Sequence, residues 1–250
     1  MTSSSFCSTS IFLLWTILLT SSSSSSSSSN PESTKFLQSN TLNPQITTLP
    51  SGLQYKILRT GLGQYHPEYN SPTECHYKGT LINGEVFDSS YDRGKAAVFQ
   101  PRQVIKGWTE AMQLMVEGDK WELYIPSHLG YGDNGSPPKI KGGDALIFTM
   151  EMIEIKGTKV NDKKEVRCNI TNGEKCTAKE IKYINSAKEK FSSGSNGDNN
   201  KIIEKEMERL KKISINGSDN VVDWCNRRIR ILTQLKEKPT TTTLDENIEL

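Results

Sequence analysis

Tyr77, Phe87, Phe99, Trp108 and Tyr131, with Val104 and Ile105 beside them, are the residues of this chain whose types and spacing could build a site. An aromatic and aliphatic wall with few polar atoms excludes water. It acts on a neutral ligand through shape and fixed hydrogen-bond donors, without covalent attack. Asp88 and Arg93 supply charge nearby. Taken singly, each aromatic also reads as core packing, and Asp88 before Ser89-Ser90 also reads as a turn acid. Other chemistries have less support. His66, His76 and His128 lack metal-ligand spacing. Asn196-Asp198-Asn200 has Lys201 where a calcium loop needs Gly and Met207 where it needs Glu. The chain contains no Cys-x-x-Cys pair. No metal and no cofactor are expected.

The elements that must position these residues follow from periodicity. Leu53, Tyr55 and Ile57 alternate with Gln54 and Lys56 as a first strand. Gly61 to Pro72 reads as loop. Glu74 to Leu81 alternates again, with Cys75, Tyr77 and Gly79 on one face, and Asn83-Gly84 turns it into Glu85-Val86-Phe87 as a hairpin. Val98-Phe99 is a short extended piece. Gln103 to Met115 carries Val104, Trp108, Ala111, Met112 and Met115 at helical spacing. Trp121, Leu123 and Ile125 form a strand that stops at Pro126, and Ala145 to Ile155 forms the longest strand. The fold class is therefore α+β, an antiparallel sheet around one short helix. Beyond Gly157 three helical stripes follow: Ile181, Ile184, Ala187 and Phe191; Ile203, Met207 and Leu210; Val221, Cys225, Ile229 and Leu232. Ser192 to Asn200 reads as a loop between the first two. A small all-α domain is the natural reading.

Val86 to Gly94, then Val104-Ile105-Lys106-Gly107-Trp108, then Gly130-Tyr131-Gly132 resemble, in order and spacing, the FKBP-type peptidyl-prolyl isomerases, most of all their macrophage-infectivity-potentiator branch. The resemblance covers Leu49 to Gly157. It implies an isomerase that needs no nucleophile, because the barrier of ~18–20 kcal/mol is amide resonance. It implies that Trp108 floors a pocket beneath the proline ring, that Tyr77, Phe87 and Phe99 flank it, and that Val104, Ile105, Ile140 and Phe148 add to the substrate-binding wall. The Ile105 N–H and the Tyr131 hydroxyl are the implied donors to substrate carbonyls, and Asp88, linked to Tyr77 and Arg93, completes the polar side. Tyr77, Asp88, Trp108 and Tyr131 are thus the expected catalytic set. Proline-containing polypeptides are the implied clients and macrolides the implied inhibitors. The chain departs from the family pattern at Pro137-Pro138-Lys139-Ile140-Lys141 and at Ala97, where many members carry an aromatic. A non-catalytic module or chaperone that grips proline segments through the same pocket stays open. Glu204 to Leu210 and Trp224 to Leu232 resemble the helical C-terminal domain of some protein disulfide isomerases; an independent helical appendage is the alternative.

The address is read from the flanks. Residues 11 to 19 form an apolar run too short to span a bilayer, which needs about 20 residues, and the reading is a signal peptide over 1–24. A disordered serine-rich linker over 25–48 is expected, then the isomerase domain 49–157, the helical domain 158–238 and a flexible tail 239–250. The expected location is the secretory pathway, either the endoplasmic reticulum lumen or the exterior, with no stable membrane anchor after cleavage. Sequons at Asn134, Asn169 and Asn216 accord with that route. Lys and Arg number 31 against 29 Asp and Glu, a net charge of +2, so there is no electrostatic case for nucleic acid. Cys75 is expected to be a buried thiol. Cys176 has two plausible partners, Cys168 and Cys225; the shorter closure favours Cys168.

Overall fold

The computed structural model describes residues 29–160, 168–191 and 196–237. The expected signal segment and tail lie outside them. In chain order the elements are α1 (Pro31–Asn40), β1 (Thr47–Thr48), β2 (Gln54–Arg59), β3 (His66–Pro67), β4 (Thr73–Leu81), β5 (Val86–Ser89), β6 (Ala97–Phe99), α2 (Lys106–Met112), β7 (Lys120–Ile125), β8 (Leu146–Ile155), β9 (Lys159–Val160), α3 (Ala178–Phe191), α4 (Asn196–Ile215) and α5 (Asp219–Glu237).

Among the described residues the main sheet runs β1-β2-β7-β8-β4-β5, with β6 also paired to β4. Every pairing in it is antiparallel. This is the expected α+β class. Alternation makes it so: Thr73, Cys75, Tyr77, Gly79 and Leu81 of β4 face inward while Glu74, His76, Lys78 and Thr80 face out. α2 lies on the inward face, where Trp108, Ala111 and Met112 join Leu53, Trp121, Leu123, Phe148 and Met150 in one core. β8 shows two outward residues in succession, Ile153 and Glu154, because its register with β4 shifts between Glu74 and Cys75.

Within the expected disordered linker over 25–48, whose residues 25–28 lie outside the described ones, Pro31–Asn40 forms a helix. Asn30 accepts the Ser33 N–H through its side chain and Pro31 occupies the first turn, a strong helix start. The helix α1 then packs on the sheet face opposite α2 through polar groups. Asn40 Nδ2 donates to Gln54 Oε1 at 3.0 Å and Gln54 Nε2 donates to the Leu37 carbonyl at 2.9 Å. Phe36 meets the Tyr124 ring edge-on at 5.9 Å. Gln54, expected on an outward face, is therefore buried. Two smaller differences follow the same logic. The expected loop 61–72 contains β3, which pairs with β9 beyond the expected domain end. α4 begins at Asn196, inside the expected loop 192–200.

The helical unit has its own core of Ile170, Ile184, Ala187, Phe191, Ile203, Leu210, Cys225, Ile229 and Leu232. Val221, expected in that stripe, is exposed because it lies in the first turn of α5, past the end of the core. Cys168 and Cys176 form a disulfide, and Cys75 and Cys225 are buried free thiols. The unit docks on the sheet through polar contacts. Asp223 Oδ1 accepts both the Thr60 N–H and the Thr60 hydroxyl at 2.8 Å, and Asn226 Nδ2 donates to the Thr60 carbonyl at 2.7 Å. Arg230 reaches the carbonyls of Gly61 and Gly63 at 3.2 and 2.8 Å. Arg227 braces Asp223 at 2.8 Å and the buried Glu180 at 3.2 Å.

Asp223→Ala should therefore strand the Thr60 N–H and leave Arg227 short of one partner. A cost of about 1–3 kcal/mol is expected for a buried donor left unpaired, read as a lower urea midpoint together with faster amide exchange at Thr60. An unchanged midpoint with unchanged exchange would remove Asp223 from the account of docking.

Candidate active site

The site is assembled on β4, because that strand pairs with β5, β6 and β8 and carries their residues to its inward face. Tyr77 stands opposite Met150, and Gly79 opposite Phe148. Phe99 closes the far end of β4 opposite Thr73. Gly79 is glycine for a steric reason: a Cβ there would sit 2.6 Å from the Phe87 ring and 2.7 Å from that of Phe148. Its bare backbone lets two aromatic rings converge above the strand.

Trp108, delivered by α2, meets three rings edge-on. Its centroid lies 5.0 Å from Tyr77, 5.5 Å from Phe99 and 5.0 Å from Phe148, with interplanar angles of 79°, 84° and 78°. Phe87 adds an edge contact to Phe148 at 5.3 Å, and Tyr77 one to Phe99 at 5.7 Å. Such pairs add about 0.5–1.5 kcal/mol each beyond burial, so the rings hold one another in place. Trp108 is 4% exposed, and its indole N–H has no hydrogen-bond partner among the described residues. Val104 and Ile105 pack against the hydrophobic core to which these rings belong, and Ile140 is a buried member of that core. Ile105 occupies the N-cap of α2 in an extended conformation. Its carbonyl accepts the Thr109 N–H at 3.0 Å, while its own N–H meets no acceptor among the described residues.

The polar side is built around Tyr77. Its hydroxyl donates to Asp88 Oδ2 at 2.6 Å and accepts from Arg93 at 2.7 Å, while Arg93 also pairs with the other Asp88 oxygen. Burial raises the Tyr77 phenol, and the Asp88 carboxylate beside it pushes the same way, ahead of the opposing Arg93. For Asp88, burial works upward, but the hydrogen bonds from Tyr77 and Arg93 outweigh it and hold the carboxyl below its ordinary range. Ser90 pins the strand behind Tyr77: its Oγ accepts the Tyr77 N–H at 2.7 Å and its N–H donates to the Tyr77 carbonyl at 2.9 Å.

Tyr77, Phe87, Phe99, Trp108 and Phe148 thus come together as rings in contact, with Asp88 joined through Tyr77, while Val104, Ile105 and Ile140 belong to the core around them. Tyr131 does not join them. It is 40% exposed, and among the described residues its side chain makes no ring contact or hydrogen bond. Sequence reasoning passed over Gly79 as a site residue; its place opposite Phe148 and against the Phe87 ring shows only in the structure. It also passed over Lys139, whose Nζ donates to the Phe87 carbonyl at 3.1 Å and ties the long loop after Tyr131 to β5.

The family model for FKBP-type peptidyl-prolyl cis-trans isomerase matches residues 63–153. The peptidyl-prolyl cis-trans isomerase Mip of Coxiella burnetii is 47% identical over 125 residues, 50% of this chain and 54% of that protein. The macrophage infectivity potentiator of Trypanosoma cruzi is 46% identical over 121 residues, 48% of this chain and 62% of that one. The match thus spans a little over half the length of these relatives. The peptidyl-prolyl cis-trans isomerase FKBP15-1 of Arabidopsis thaliana is 45% identical over 114 residues, which are 45% of this chain and 72% of that protein. On that identity and coverage, the chain belongs to the FKBP-type peptidyl-prolyl cis-trans isomerase family, on its macrophage-infectivity-potentiator-like branch.

Proposed function

We propose that this chain catalyses cis–trans isomerisation of peptidyl-prolyl bonds in polypeptide clients of the secretory pathway, using the aromatic cluster as its pocket. The observation that carries the reading is the enclosure of Trp108 by Tyr77, Phe99 and Phe148. A planar amide is more polar than a twisted one, since resonance places charge on its oxygen and nitrogen. A dry aromatic pocket therefore disfavours the planar ground state relative to the twisted transition state, which has lost that resonance. In this reading Trp108 supports the proline ring and Tyr77, Phe87, Phe99 and Phe148 flank it. Val104 and Ile140 complete the apolar wall. The unengaged Ile105 N–H is available to a substrate carbonyl. Tyr131, exposed as it is, donates its hydroxyl to a second carbonyl once a client is bound. Asp88 acts by holding Tyr77 and Arg93, without exchanging a proton with the substrate. Macrolides that mimic the twisted amide would compete for the same enclosure.

The secretory placement is supported by the Cys168–Cys176 disulfide, which needs an oxidising compartment to persist. The apolar run at residues 11–19 supports it too. Within the pathway, the endoplasmic reticulum lumen is the proposed site of action. Among the described residues no helix is long and apolar enough to cross a membrane.

Two measurements test the assignment. Trp108→Leu keeps apolar volume but removes the floor, so kcat/KM in a protease-coupled isomerisation assay should fall at least about tenfold, the factor that 1.4 kcal/mol represents, while unfolding stays cooperative. A folded Trp108→Leu protein with parental activity would end the assignment. The second is the pH profile. Asp88 is held below its ordinary pKa and so stays ionised down through the usual carboxylate range; Tyr77 is raised and so stays protonated past the usual phenol range. The Tyr77–Asp88–Arg93 arrangement is then constant between, and kcat/KM should be flat from about pH 5 to about pH 9, inside the ordinary limits of ~3.9 and ~10. A rate that follows a single ionisation inside that window would contradict the non-covalent, proton-free mechanism.

A further inference from the structure

We propose that Asn30, at the head of α1, is a positioning residue for the loop 131–144 that carries Tyr131 and Ile140, and so, through that loop, for the isomerisation proposed above, on which this inference rests.

The loop is zipped along its own length. The Gly135 N–H donates to the Tyr131 carbonyl at 3.2 Å, Ser136 and Ile140 exchange bonds of 2.9 and 3.1 Å, and the Gly143 N–H donates to the Gly132 carbonyl at 3.0 Å. Both ends of this hairpin-like arm are gripped by the segment that opens α1. At the exit, the Asn30 N–H donates to the Gly143 carbonyl at 2.8 Å and Asn30 Nδ2 donates to Asp144 Oδ1 at 2.8 Å. One turn on, the buried Ser33 Oγ accepts the Ala145 N–H at 2.8 Å. At the entry, Ser29 Oγ accepts the Ser127 N–H at 3.1 Å. The approach is close. Gly143 has φ +80, and a Cβ on it would lie 2.9 Å from the Asn30 nitrogen.

Asn30 spends each polar group once. Its Oδ1 caps α1 through the Ser33 N–H at 2.8 Å, its Nδ2 holds Asp144, and its backbone N–H holds Gly143. Asp144 in turn uses its second oxygen to accept the Lys141 N–H at 2.8 Å, next to Ile140. A chain of hydrogen bonds therefore runs from the helix cap to the residue beside the pocket wall. When that chain is broken, the loop reaches its binding-competent arrangement for a smaller fraction of the time, and apparent substrate affinity falls by that fraction. The chemical step in the bound complex does not change. The signature is a rise in KM with kcat held.

Asn30→Asp separates the two duties of this side chain. The carboxylate still caps α1, but it faces Asp144 with like charge and no donor. KM for a proline-containing tetrapeptide should rise about threefold to tenfold, the size expected for one lost hydrogen bond, with kcat near the parental value and helix content unchanged by circular dichroism. Combining Asn30→Asp with Asp144→Asn restores a donor and an acceptor with the roles exchanged, and KM should return to that of the parent. An unchanged KM in the single variant, or no recovery in the exchanged pair, overturns the proposal. The same full-length variants are read independently by amide exchange at Lys141 and Gly143: acceleration in the single variant and recovery in the pair support the latch, and parental exchange throughout rejects it. A parent protein without isomerase activity would instead remove the functional reading of the pocket, and the exchange data would still decide the latch.

Discussion

Strand β4 cannot slip by one residue without dismantling the site. Its side chains alternate between the core and the outer face, and three other strands read their register from it. A single-residue shift would turn Tyr77 outward and bring His76 in, and it would place a side chain where Gly79 now gives clearance to Phe87 and Phe148. The same register buries Cys75, whose thiol is pushed up to about 12 by burial, with Glu74 adding to the shift. It is therefore a packing group and not a nucleophile at any physiological pH. Ser90, just past the end of the neighbouring strand β5, reinforces the register by bonding both backbone groups of Tyr77.

How much of this was legible in the sequence depended on what kind of force builds each part. The sheet and α2 are held by apolar alternation, and Leu53, Cys75, Tyr77, Trp121, Leu123 and Met150 announce it residue by residue. The ring cluster was legible only as a joint pattern, since Phe87 and Phe148 lie 61 positions apart and converge through a glycine. α1 was misread because its docking face is polar. Ser33, Asn40 and Gln54 look like linker or surface residues until each is seen to meet a partner far along the chain. The placement of the helical unit was hidden for the same reason. Asp223, Asn226 and Arg230 satisfy backbone groups of Thr60 to Gly63, and backbone groups carry no sequence signal. Val221 was assigned to a core that stops one turn short of it. The Cys168–Cys176 pairing was open between two partners and fell to the nearer one.

A line of charged and aromatic contacts crosses the outer face of the sheet. His76 stacks on Tyr91 at 4.6 Å, the Tyr91 hydroxyl donates to Glu151 at 3.0 Å, and Glu151 pairs with Arg59. Asp219, at the start of α5, then lies 3.9 Å from Arg59 and 3.3 Å from Lys120. Burial would raise the Glu151 carboxyl, but Arg59 outweighs it and holds the group below its ordinary range. Most of these groups are partly exposed, so the line adds little net stability. Its effect is on orientation, since it joins the loop bearing Arg93 to the helical unit at the β2 end of the sheet.

The polar dock of α5 on Thr60 and the glycines after it has a consequence for any polypeptide that touches both units. A flexible tether would average over many separations. Here the backbone of one unit is bonded directly into the side chains of the other, so the separation is set in advance. Any segment that spanned both units would meet one distance between them, fixed by the bonds of Asp223, Asn226 and Arg230 to Thr60, Gly61 and Gly63.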